Sequence, residues 1–229
     1  MEAHLEVGRR GLNARHAEFI VNQTEILSPP LVPEVKLHLA HESVPLWQKT
    51  EEELGEMGLA PPFWAFAWAG GQALARYILD NPDLVKNLAV IDLASGSGLV
   101  GIAAMKAGAK SVLAADIDPF SAAAIALNAK LNQVTMSVTT NDILGSPLPT
   151  VDVLLVGDLF YEQALASRVF TFAEAAKAAG MTVLIGDPGR SYIPKDRLEK
   201  CAEYSVPVSR DLEDSEIKRS AVWQLRQNY

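Results

Sequence analysis

The segment with the sharpest chemical meaning is Val90-Ile91-Asp92-Leu93-Ala94-Ser95-Gly96-Ser97-Gly98: an apolar run, one acid, then a bend of small residues. A strand that empties into such a bend and continues as a helix lets a ligand approach the backbone closely, and the helix start offers unpaired N–H groups. Gly96, Gly98 and Gly101 also satisfy G-x-G-x-x-G, and Asp116 stands twenty residues after Gly96, as in a nicotinamide-binding fold. The bend alone therefore leaves two cofactor classes open.

Charge separates them. Asp92, at the end of the apolar run, would repel a pyrophosphate and attract the ammonium of a methionyl group, which favours S-adenosyl-L-methionine. Asp116, just before Asp118-Pro119, can take both ribose hydroxyls, with Ile117 on the adenine; this suits either cofactor. In Asn141-Asp142 the Asp142 carboxylate can accept from the adenine 6-amino group, or can be an ordinary loop acid. Further on comes Asp158-Leu159-Phe160-Tyr161-Glu162. An acid with two aromatics beside a ligand crevice can line a slot for a lysine side chain, because aromatic faces attract an ammonium and a carboxylate holds it. The plainer alternative is that Asp158 caps the next helix while Phe160 and Tyr161 staple it.

These residues need a frame, and the hydrophobic pattern supplies one. Runs at Leu88–Leu93, Ser111–Ala115, Val134–Val138, Val151–Val156 and Met181–Ile185 read as strands. Helices are expected over Leu99–Ala107, from Pro119 to Leu131 with Asp118 as cap, and over a stretch with Leu165, Val169, Phe172 and Ala176 on one face, ending at Gly180. Gly70-Gly71 opens an earlier helix that Asn81-Pro82 stops. After the fifth strand a helix is expected from Arg197 to Tyr204, then strands at Val206–Val208 and Ala221–Leu225. The alternation predicts an α/β, Rossmann-like, seven-stranded and mostly parallel sheet with one antiparallel strand. Residues 1–60 are expected as an N-terminal extension: a short helix over about residues 12–22, a half-buried strand through Val35, Leu37 and Leu39 that could pair with Val44–Trp47, and an acidic linker at Glu51–Glu56. Residues 61–229 form the main domain.

Composition narrows the partners. A net charge of −8 disfavours a phosphate backbone, leaving a small molecule or a lysine-bearing protein surface as substrate and no nucleic acid as partner. Cys201 is the only cysteine, so no internal disulfide and no cysteine metal cluster can form, and a reducing compartment fits best. His4, His16, His38 and His41 all precede the main domain and make no ligand or triad pattern, so no metal is expected. No membrane-spanning run is present. Met1–Arg15 lacks a signal-peptide core, and Glu2 and Glu6 argue against a transit peptide, so the expected location is cytoplasmic, with the mitochondrial matrix as alternative. A monomer or weak oligomer is expected.

Several of these strings resemble a known family. Asp92 to Gly98, Asp116-Ile117-Asp118-Pro119, Asn128 with Asn132, and Asp142 look like the motifs of class I, seven-β-strand methyltransferases, including those that modify ribosomal protein L11. Trp64-Ala65-Phe66-Ala67-Trp68-Ala69-Gly70-Gly71, Asp158 with Tyr161, and Gly186-Asp187-Pro188-Gly189-Arg190 together are similar to the lysine methyltransferases of the electron transfer flavoprotein β subunit. The resemblance covers residues 61 to 229. It implies a cofactor site of Trp68, Asp92, Ala94, Ser95, Gly96, Ser97, Gly98, Asp116, Ile117, Asn141, Asp142 and Asp158, with Trp68 covering the methionine end. It further implies a catalytic group of Asp158, Tyr161 and Glu162, and the flavoprotein β subunit as protein partner. The alternatives are a methyltransferase of a small metabolite or a ribosomal protein, a NAD-dependent oxidoreductase resting on the glycine spacing, and a non-catalytic binding module.

Overall fold

The computed structural model describes residues 14–40, 61–208 and 217–226. Its centre is set by the two strands that are buried on both faces. They are β3 (Ala89–Leu93) and β6 (Val153–Gly157), paired in parallel with Asp92 opposite Leu155 and Leu93 opposite Val156. Alternate residues go to opposite layers, as the two-residue period of a strand requires. Ile91, Leu93, Leu154 and Val156 pack under α5 (Gln163–Ala178) with Val169, Phe172 and Ala176. Val90, Val153 and Leu155 pack on the other face with Leu74 and Ile78 of α2 (Ala69–Asp80) and Val100 and Ala104 of α3 (Leu99–Lys106).

From β3 the chain steps outward through β4 (Ser111–Ala115), α4 (Pro119–Leu131) and β5 (Ser137–Thr139). It then returns to the far side of β3 as β6 and β7 (Thr182–Asp187). This reversal of direction opens a crevice at the carboxyl ends of β3 and β6. β9 (Ile217–Leu225) pairs antiparallel with both β7 and the edge strand β8 (Leu198–Pro207), completing seven strands in the order β5-β4-β3-β6-β7-β9-β8. One strand, β9, runs against the rest, as expected.

Two expectations need correction. The stretch Arg197–Tyr204 is not helical; it belongs to β8, which also absorbs Val206. Its Leu, Glu, Lys and Ala content favours a helix in isolation, but a ladder with β9 running from Leu198 to Pro207 overrides that preference. A bulge between Lys200 and Ala202 also hides the two-residue period, and the charges Glu199, Lys200 and Glu203 suit a sheet edge. The third strand begins at Ser137 rather than Val134, because Val134 and Met136 pack over α3 instead of entering the ladder. β2 (Leu37–Leu39) pairs antiparallel with β1 (Glu25–Leu27); the expected pairing with residues 44–47 and the linker at 51–56 lie outside the described residues.

The helix expected near the N-terminus, α1, is present over residues 14–23. The hairpin after it is bound to the main fold. Val32, Val35, Leu37 and Leu39 pack on Ala75, Leu99 and Ile102. Asn132 exchanges hydrogen bonds with both Lys36 backbone groups, at 3.0 and 2.6 Å. The fully buried Asn128 accepts from His38 N at 2.7 Å and donates to Ser97 O at 2.8 Å, joining hairpin and glycine bend through one side chain.

Candidate active site

The penultimate residue of β3 is Asp92, which is almost fully buried. Its Oδ2 accepts from the Ser95 hydroxyl and, at 2.9 Å, from Gly101 N in the first turn of α3. Burial pushes its carboxyl up to about 6, against the pull of those two donors. Ala94, Gly96 and Gly98 then take positive φ of 49°, 54° and 84°, so the bend curls tightly enough to present its backbone to the crevice. Gly98 serves this geometry as the residue before α3 and does not line the cavity.

Asp116 directly follows β4 and spans the crevice to that bend. Its Oδ2 accepts from Gly96 N at 2.8 Å and its Oδ1 from Asp118 N at 3.0 Å, while burial raises its carboxyl. Ile117 is 69% exposed, an apolar surface left open over the cavity. Asn141 and Asp142 close the same end. Asp142 Oδ1 accepts from Leu144 N at 3.0 Å and its Oδ2 meets Arg168 at 2.6 Å, which holds the carboxyl below its usual range. Both oxygens thus have protein partners, each with a lone pair to spare.

At the other end lies Asp158, in the left-handed conformation (φ 60°) and buried. Its Oδ2 accepts from Gly70 N at the start of α2 at 2.9 Å, and Arg190 Nε donates to its Oδ1 at 2.6 Å. Around this pair stand Phe63, Phe66, Trp68 and Tyr161. Trp68 lies 5.9 Å from both phenyl rings, and Phe63 lies 5.7 Å from Tyr161. Trp68 Nε1 donates to Phe63 O at 2.9 Å, which fixes the indole. Asp92, Asp116, Asp142, Asp158 and these aromatics border one cavity of about 490 Å³, a size suited to a small-molecule cofactor.

Of the expected site residues, Trp68, Asp92, Ala94, Ser95, Gly96, Ser97, Asp116, Ile117, Asn141, Asp142, Asp158 and Tyr161 meet at this cavity. Glu162 does not: the chain turns there into α5 and leaves its side chain exposed outside the lining. Phe160 is fully buried in the core beneath, so one aromatic of that motif, Tyr161, reaches the slot. Trp64 is likewise core, stacked 6.0 Å from Phe120, whereas Trp68 is lining. His16 packs its ring on Phe120, and His38 meets Thr24. Arg168 was not singled out from the sequence, although it falls three positions after Leu165 on the cavity-facing side of α5. Arg190 stood there only as the last residue of the Gly186–Arg190 string; its pairing with Asp158 was not legible.

A parallel sheet with this strand order, a glycine bend and acids ending β3 and β4 define the class I S-adenosylmethionine-dependent methyltransferases. The ribosomal protein L11 methyltransferase family (PrmA) matches residues 72–178. The electron transfer flavoprotein beta subunit lysine methyltransferase of Rattus norvegicus is 36% identical over 93% of this chain and 85% of its own length. The Homo sapiens protein of that name is 37% identical over 90% and 80%. The chain belongs to the electron transfer flavoprotein beta subunit lysine methyltransferase family. A solved Thermoplasma acidophilum structure, 18% identical over 68% of this chain and 89% of its own, shares the fold with a TM-score of 0.50.

Proposed function

We propose that the protein methylates lysine side chains of the electron transfer flavoprotein β subunit. The observation that carries this reading is the joining, in one cavity, of the acid-lined glycine bend to an aromatic slot that ends on Asp158. The cavity fits the methyl donor in charge and shape. Asp92 is a buried carboxyl that gains from a cation, Asp116 offers a carboxylate for ribose hydroxyls, and Ile117 with Ile143 supplies an apolar bed for adenine. Trp68 closes the methionine end.

When bound, S-adenosylmethionine supplies a sulfonium-activated methyl group that passes to the lysine nitrogen and leaves S-adenosylhomocysteine. The protein's part is alignment and exclusion of water. A free lysine keeps its proton to about pH 10.4, so the slot must receive the amine after it has lost that proton to solvent. Phe63, Phe66, Trp68 and Tyr161 wrap the methylene chain, and Asp158 accepts an N–H so that the nitrogen lone pair faces the donor. Incubation with the purified flavoprotein β subunit and methyl-labelled donor, followed by peptide mass spectrometry, tests this. Label on its lysines supports the reading; label confined to small metabolites overturns it.

The Asp92 assignment makes a separate prediction. Burial places its carboxyl at about 6, so below that pH it is mostly neutral and attracts the methionyl ammonium weakly. If the ligand binds the ionised form, affinity for S-adenosylhomocysteine is expected to rise about fivefold between pH 5 and 6 and by about twofold or less from pH 6 to 7. Calorimetry across pH 5–7.5 measures this, and Asp92→Asn is expected to weaken binding and flatten the curve. Asp116, Asp118 and Asp187 are also raised by burial, so a slope that survives in Asp92→Asn assigns the titration to one of these three instead.

A further inference from the structure

The reading above gives Asp158 a substrate but does not explain why it already has a cation. Arg190 Nε lies 2.6 Å from Asp158 Oδ1, with 4% of the Asp158 side chain and 21% of the Arg190 side chain exposed. The guanidinium carbon is 5.9 Å from the centroid of the Trp68 ring, so it stands on the slot wall as well as on the acid. The loop that delivers it is clamped. Asp187, at the end of β7, accepts from Gly189 N at 2.6 Å and Arg190 N at 2.8 Å. Its other oxygen is buried, without a hydrogen-bond partner among the described residues. A buried acid spent on two backbone amides is a costly way to shape an ordinary turn. It is well used if the direction of the Arg190 side chain matters.

We propose that Arg190 is the positioning residue that makes the slot selective for an uncharged lysine amine, by holding Asp158 in a charge-matched pair where that amine docks. This rests on the lysine reading above. A lone buried carboxylate would capture a lysine as its ammonium, the form with no lone pair to give. A carboxylate already matched by a guanidinium offers an ammonium little attraction to offset its lost hydration. The same oxygen can still accept an N–H from a neutral amine. Among the described residues, Asp187, Glu162 and Asp116 near the pair are acids and the Tyr161 phenol is neutral at pH 7. Of the nearby cations, Arg168 pairs with Asp142 at the other end of the cavity, and Lys195 stands beside Gly189 of the same loop.

The test compares the wild-type enzyme with Arg190→Met and Arg190→Lys, all loaded with S-adenosylhomocysteine, in titrations with n-butylammonium at pH 7. Arg190→Met is expected to bind this probe at least about tenfold more tightly than wild type, and Arg190→Lys to return to near the wild-type value. Binding that is unchanged or weaker in Arg190→Met overturns the proposal; if that variant does not fold, Arg190→Gln takes its place under the same criterion. In turnover on the flavoprotein β subunit, the alkaline-rising limb of kcat is expected to move up by about one pH unit or more in Arg190→Met. A rate that falls at every pH with the limb fixed marks a merely structural role and also overturns it. Should the wild-type enzyme leave the flavoprotein unlabelled, the substrate assignment fails, and the ammonium titration still decides the role of Arg190.

Discussion

Asp158→Asn is expected to lower methyl transfer by about a hundredfold or more while S-adenosylhomocysteine affinity stays within about threefold. The reason lies in how the two oxygens are used. One accepts from Gly70 N and the other from Arg190, so both must be acceptors. An amide has a single oxygen, and its NH2 must then face one of those donors. Either Gly70 N loses its partner or Arg190 is pushed away, and in both cases the amine loses the acceptor that aims it. Asp92 and Asp116, which hold the other end of the cavity, are untouched. Single-turnover kinetics with the flavoprotein subunit and calorimetry with S-adenosylhomocysteine together measure the split. Unimpaired turnover would remove Asp158 from the chemistry.

Two neighbouring glycines are expected to respond in opposite directions. A methyl group at Gly70 would sit 2.5 Å from Gly186 O and 3.0 Å from both Asp158 Cβ and Asp158 N, with backbone on two of three sides. Gly186 has the reciprocal constraint, its added carbon falling 2.2 Å from Gly70 O. Gly70→Ala must push α2 off the sheet, at a cost of about 3 kcal/mol, or roughly 6–12 °C in Tm. Gly71 is different: an added carbon there meets Val100 Cγ2 at 3.8 Å, an ordinary contact, and the residue is helical. Gly71→Ala is expected to gain about 0.5–1 kcal/mol from helix propensity. Thermal melts of the two variants check this. Equal effects would mean that α2 does not rest on these glycines.

What could be read in the sequence was whatever is encoded within a few neighbouring residues. Asp118-Pro119 starts α4 because the carboxylate accepts from Phe120 N and proline needs no partner there, both local facts. β3, β4 and β6 were visible because strands buried on two faces are mostly apolar, with Asp92 the one acid within them. β8 was not, since its state is decided by β9 across the sheet. The site divides along the same line. Asp92, Gly96 and Asp116 sit at strand ends where the alternation of elements places them. By contrast, the difference between Trp64 and Trp68, or between Phe160 and Tyr161, is which side of one turn faces a cavity, and spacing gives both members of each pair the same standing. The pairing of Arg190 with Asp158 joins residues thirty-two apart, and nothing nearby in sequence marks it.

Asn128 ties the hairpin to the bend. A donor molecule that steadies Ser97 also steadies its carbonyl, the amide that binds it and the His38 N–H on the far side of that amide. Because such coupling runs equally in both directions, residues 24–39 add to the grip on the nucleoside without touching it. Slower deuterium uptake at His38 in the loaded enzyme is the signature of that shared purchase.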